Sequence, residues 1–173
     1  GELSCDCMPR TQLESNDDKL LAMSTVDKGI ALIDISDPTA PNIMSFTDSM
    51  YSGYPFSLHK NLIAKNENKK ISFIDITNPD EPKRLAFINT TGPSHFYFDE
   101  EVMFSARYSE GLISYDMSVF APPVQTKVEL NQIDYIGSFA VNDGKLYTSS
   151  YPDKRLSIFD ISNDSTPQLL GEL

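Results

Sequence analysis

GIALIDISDPTAP, from Gly29 to Pro41, returns three more times along the chain: KISFIDITNPDEP from Lys70 to Pro82, GLISYDMSVFAPP from Gly111 to Pro123 and RLSIFDISNDSTP from Arg155 to Pro167. The four starts lie 41, 41 and 44 residues apart. A fixed period in this range marks an array of like structural units, each burying its apolar faces on its neighbours. Within each copy the apolar residues alternate or run together over five or six positions, as in Ile30-Ala31-Leu32-Ile33 and Ile71-Ser72-Phe73-Ile74. That spacing and the β-branched content predict a strand. An aspartate then falls at the same place in every copy (Asp34, Asp75, Asp116, Asp160). It reads as a cap for the turn that follows, because a short carboxylate accepts hydrogen bonds from backbone amides just downstream. Pro41, Pro82, Pro123 and Pro167 close the copies and belong at a strand start, since proline cannot donate to a ladder.

Working outward, each phrase is the third strand of a four-strand unit. The second strands are expected at 19–25, 61–67, 102–108 and 145–151, and the fourth at 42–48, 83–90, 124–131 and 168–173. First strands are expected at 11–16, 55–60, 94–99 and 137–141, joined to the second by polar turns such as Asn142-Asp143-Gly144. No helical period is present. Repeated four-strand antiparallel units of about 40 residues predict an all-β fold, a β-propeller with four blades in this chain. Both faces of strands such as Phe96-Tyr97-Phe98 are apolar, as a sheet covered on two sides requires and a one-sided sandwich does not. Residues 1–9 read as a leader or linker, and residues 10–173 as the array, with blades at about 10–49, 53–92, 94–132 and 134–173.

The 173 residues carry 14 Lys and Arg against 25 Asp and Glu, a net charge of −11. That charge repels phosphate backbones, and no basic patch offsets it, so nucleic acid is not an expected partner. No apolar run approaches the ~20 residues that span a bilayer, and residues 1–10 lack the apolar core of a signal peptide. Cys5 and Cys7, the two cysteines, read as incidental thiols of a leader, because a bridge between residues two apart strains disulfide geometry. The alternative is the stub of a lipoprotein leader.

The phrase, with an Ile/Leu-rich strand, then Asp-Ile-Ser, then Asp/Asn-Pro and a closing Pro, resembles the LVIVD repeat. The strongest copies are Leu32-Ile33-Asp34-Ile35-Ser36-Asp37-Pro38 and Phe73-Ile74-Asp75-Ile76-Thr77-Asn78-Pro79. The third copy departs with Val119-Phe120 and the fourth with Asp164. The resemblance implies a propeller-like fold and an extracytoplasmic place: periplasmic, surface-exposed or secreted, with lipid anchoring as one mode. It brings no catalytic motif. Four blades read either as a complete unit or as half of a larger ring, completed by a second copy in a homodimer or by further sequence.

Propeller ligands are expected where loops gather at one end of the blades. The loops entering the first strands carry Tyr51, Tyr54, His95 and Tyr135, and those between second and third strands carry Arg107, Tyr108, Tyr151 and Lys154. Tyrosine joins apolar area to a hydrogen bond and, with arginine, anchors many interfaces. The ligand-binding candidates are therefore Tyr54, His95, Arg107, Tyr108, Tyr135 and Tyr151, for a protein or glycan partner. His59 and His95 are the two histidines, so a metal centre of three histidines is excluded. Asp17-Asp18 and Asp99-Glu100-Glu101 read as solvated turns, not calcium loops. No catalytic residue, metal or cofactor is assigned. The expected function is a non-enzymatic binding or scaffold module; the alternatives are a hydrolase or lyase using His95, Arg107 and a carboxylate, or a structural half-ring that dimerises.

Overall fold

A computed structural model of the chain describes residues 7, 9–16, 19–47, 55–67, 69–90, 94–107, 111–118, 124–128, 136–150, 154–162 and 167–173. Strands β1 (Pro9–Asn16), β2 (Leu20–Thr25), β3 (Ile30–Asp34) and β4 (Asn42–Phe46) form the first sheet. The second holds β5 (Phe56–His59), β6 (Leu62–Asn66), β7 (Lys70–Asp75) and β8 (Lys83–Asn89). The third holds β9 (Ser94–Asp99), β10 (Val102–Arg107), β11 (Gly111–Asp116) and β12 (Val124–Val128). The fourth holds β13 (Ile136–Asn142), β14 (Lys145–Ser150), β15 (Leu156–Asp160) and β16 (Gln168–Glu172). In every sheet, neighbours in sequence are neighbours in space and run antiparallel. This is the blade of a β-propeller, four times over. The chain divides into two compact units, residues 1–91 and 92–173, each holding two blades.

The repeat fixes register as well as topology. The repeat aspartate always lies opposite the first residue of the second strand: Leu20 with Asp34, Leu62 with Asp75, Val102 with Asp116 and Lys145 with Asp160. The turn cap expected of that aspartate forms in all four blades. The amide of Ser36 donates to Asp34 Oδ1 at 2.8 Å, that of Thr77 to Asp75 Oδ1 at 2.8 Å, that of Ser118 to Asp116 Oδ1 at 2.9 Å and that of Ser162 to Asp160 Oδ1 at 2.9 Å. The hydroxyl of Thr77 adds a second bond to Asp75 at 2.6 Å. These side-chain and backbone donors hold all four carboxyls below the ordinary aspartate range. The short turns between first and second strands place Lys60, Glu100 and Asp143 at positive φ (51°, 50° and 50°). Two-residue hairpin loops demand that conformation to match the twist of the strands.

Within each unit the two blades meet across an apolar seam. Leu20, Ala22, Ile30 and Leu32 pack with Phe56, Ile63, Ile74 and Ile76 in the first unit. Phe104, Ala106 and Leu112 pack with Ile136, Val141, Leu146, Phe159 and Ile161 in the second. Each of the larger side chains, fully buried, contributes on the order of 1.5–3 kcal/mol. The inner edge of the first seam is polar and ordered. Alternate residues of β1 reach the backbone of β5: Gln12 Nε2 donates to the Phe56 carbonyl, Phe56 N–H donates to Gln12 Oε1 at 3.0 Å, Leu58 N–H donates to Glu14 Oε2, and Asn16 Nδ2 donates to the Lys60 carbonyl at 2.6 Å. Period-2 alternation places residues 12, 14 and 16 on one face.

One expectation is corrected. Cys7 is disulfide-bonded, not an incidental thiol. It lies at a bend. No helix among the described residues is long and apolar enough to cross a membrane.

Candidate functional site

The loop end proposed from sequence is represented by the third sheet. His95 lies on β9 opposite Ala106, one step from the pair Ser94 and Arg107, so His95 and Arg107 sit at the same end of neighbouring strands. His95 is exposed. Lys154, also exposed, precedes β15 with φ of 55°. Tyr51, Tyr54, Tyr108, Tyr135 and Tyr151 lie outside the described residues. The same is true of Asp17-Asp18.

The opposite end of the blades, where hairpin turns and aspartate caps gather, holds a feature that the sequence reading missed. In the first unit, Ser15 and Asn16 of β1 face Leu58, His59, Lys60 and Asn61 around the β5–β6 turn, enclosing an open cleft of about 430 Å³. Asn16 binds the Lys60 carbonyl through its amide nitrogen, while its Oδ1 is buried without a partner. Hydroxyl, amide, imidazole and ammonium groups thus line a shallow basin beside one apolar side chain. The sequence signal was faint, because these residues belong to two blades and only the β1–β5 seam makes them neighbours.

Ionisable groups are strongly organised in the second sheet. Lys65 and Glu67 side chains are 2% and 4% exposed and 3.5 Å apart. Arg84 grips the Glu67 carboxylate with two bonds, Nη1 to Oε2 at 2.7 Å and Nη2 to Oε1 at 3.0 Å. Ser72 Oγ donates to the same Oε2 at 2.7 Å and accepts from Arg84 Nη1 at 2.9 Å. Burial pushes the Glu67 carboxyl up most strongly, but the Arg84 and Ser72 bonds and the Lys65 charge together hold it below the ordinary glutamate range. Glu14 shows the reverse balance: burial raises its carboxyl despite bonds from Leu58, Gln12 and Ser57. Among the described residues, no group of three or more His, Cys, Asp and Glu is arranged to hold a metal ion. The Glu67 network is a packed ionic cluster that ties Ser72 of β7 and Arg84 of β8 to Glu67.

The LVIVD repeat model matches residues 24–48 and 151–173. These two segments match the LVIVD repeat. The matched segments are the third-strand phrases of the first and fourth blades with their flanks. No curated protein matches the chain. Solved structures with the same β-propeller fold include the computationally designed protein Ika8 (14% identity, TM-score 0.67, covering 93% of this chain and 48% of that one). Ika4, also designed, matches with 11% identity and TM-score 0.66 over 90% of this chain and 92% of its own. Kluyveromyces lactis Hsv2 matches with 13% identity and TM-score 0.67, and the periplasmic gluconolactonase PpgL of Pseudomonas aeruginosa with 9% and 0.66. The chain spans about half the length of Ika8, Hsv2 and PpgL (48%, 50% and 53%). At such identities the likeness concerns the fold alone.

Proposed function

We propose that this chain is a non-enzymatic binding or scaffold module of the cell envelope or of the secreted fraction, recognising a protein or glycan through the loop end that carries Tyr54, His95, Arg107, Tyr108, Tyr135 and Tyr151. One observation carries this reading. The most regular ionisable group of the repeat, its aspartate, is engaged in all four blades with the amide two residues downstream. The invariant chemistry therefore builds the frame, and recognition falls to the loops in which the blades differ. Those loops bring aromatic and cationic side chains, the residue types that anchor interfaces. A disulfide at Cys7 supports the extracytoplasmic reading, because such bonds persist in oxidising compartments. A hydrolase would need His95 within reach of a carboxylate; among the described residues His95 is exposed and has no such partner.

The test is a glycan-array and envelope-protein screen with the chain, repeated with Tyr54→Ala, His95→Ala and Tyr135→Ala. Loss of the captured ligand in these variants, with unchanged circular dichroism, is the expected result. A ligand bound equally well by all three variants removes this end of the blades as the recognition surface.

A further inference from the structure

The cleft between β1 and the β5–β6 turn lies wholly within the first compact unit, and its chemistry narrows what it can take. A volume of about 430 Å³ falls in the range of pockets that hold small ligands. Among its described lining residues, Ser15, Asn16, His59, Lys60 and Asn61 are polar and Leu58 is apolar. The Asn16 amide is oriented by its neighbour. Its Nδ2 donates to the Lys60 carbonyl at 2.6 Å, at a turn where Lys60 has φ of 51°, and Oδ1 is left as a buried acceptor without a donor. Such an acceptor has lost its hydration, and a ligand O–H donating to it recovers that loss.

Two ionic classes of ligand fit poorly. An anion at a strand end would draw on backbone amides, but the amide of Leu58 already donates to the Glu14 carboxylate. A metal cation needs several oxygen ligands; among the described residues no group of carboxylates gathers here, and Lys60 adds a positive charge. An uncharged ligand rich in hydroxyls meets each requirement. It donates to Asn16 Oδ1, accepts from Ser15, Lys60 and Asn61, and lays C–H surface on Leu58, which packs from its other side on the first-unit core.

We propose that this cleft binds a neutral saccharide. The site is independent of the recognition surface proposed above, which lies at the other end of the blades.

Titration of the isotope-labelled 173-residue chain with methyl glycosides of glucose, galactose, mannose and N-acetylglucosamine, followed by amide NMR shifts, tests the proposal. Inorganic phosphate and calcium chloride form separate arms. At least one glycoside should shift the amides of Leu58, His59 and Asn61, saturating in the millimolar range, while those of His95 and Arg107 stay in place. Asn16→Ala and Asn61→Ala should each weaken the response about fivefold, the effect of losing one hydrogen bond. Asn16→Ala also breaks the bond to Lys60, so Asn61→Ala, at an exposed turn position, decides the matter if the first variant fails to fold. No shift with any glycoside overturns the proposal, as does a response that Asn61→Ala leaves intact. Shifts gathered at His95 and Arg107, or a stronger response to phosphate or calcium than to any glycoside, overturn it equally.

Discussion

The seam positions of the second and fourth blades are occupied by opposite chemistries. Where the second blade has Lys65, Glu67, Ser72 and Arg84, the equivalent places of the fourth hold Thr148, Ser150, Ser157 and Leu169. In the second blade every ionic group meets a partner, with Glu67 at the centre. In the fourth the groups are small and neutral. Thr148 and Ser150 hydroxyls are buried without a hydrogen bond, and Ser157 reaches Glu172 at 3.4 Å. One backbone register thus accepts either a complete ionic cluster or hydroxyls that forgo bonding. The intermediate case, a partial cluster, is the costly one, because an unpaired buried charge loses its hydration without compensation.

The largest effect follows from breaking the ionic side of that contrast. Glu67→Ala removes the buried carboxylate that Arg84 and Ser72 bind and that lies beside Lys65, and should destabilise the chain by about 3–5 kcal/mol, read as a lower urea midpoint. Acid should do the same more gradually. The Glu67 carboxyl is held below its ordinary value of 4.5, so its contribution is complete above that pH and is lost as the pH falls through the lowered folded value. Glu67→Ala should flatten that part of the acid limb; a limb of unchanged slope would assign the acid sensitivity to other groups.

A smaller effect of opposite sign is expected on the neutral side. Thr148→Val exchanges an unbonded buried hydroxyl for a methyl of similar shape, and should stabilise by about 1 kcal/mol. A destabilised variant would show that the hydroxyl has a partner after all. The smallest effect belongs to the feature that both blades share. Asp75→Ala removes the two bonds to Thr77 and should cost about 0.5–1 kcal/mol, whereas Asp75→Asn, which keeps an acceptor oxygen, should lie close to wild type.

Local and periodic features were legible in the sequence. The repeat phrase marked β3, β7, β11 and β15, and the expected first strand at 94–99 is β9 residue for residue. Strand ends drifted by a residue or two where turn residues extend or shorten a ladder, as with 42–48 expected and Asn42–Phe46 found. The aspartate cap was readable because it acts over two residues. The Glu67 network was not, since Arg84 comes from a strand whose pairing shifts register between Phe73 and Ile74. No spacing rule anticipates which side chains a bulge aligns. The cleft beside Asn16 escaped for a related reason: two blades build it, and no contiguous segment of the chain announces it. His95 and Arg107, assigned to loops from the sequence, lie instead within β9 and β10, at the same end of the third sheet.

The reach of Gln12, Glu14 and Asn16 onto β5 has a consequence for how water sees that strand. As the outermost member of its own ladder, β5 has outward-pointing amides that ordinarily trade their hydrogens with solvent within moments. Those of Phe56 and Leu58 are instead tied to carbonyl and carboxylate oxygens from the adjacent blade. Their deuterium uptake should be slow, and should report the parting of the first two blades well before the chain as a whole comes undone.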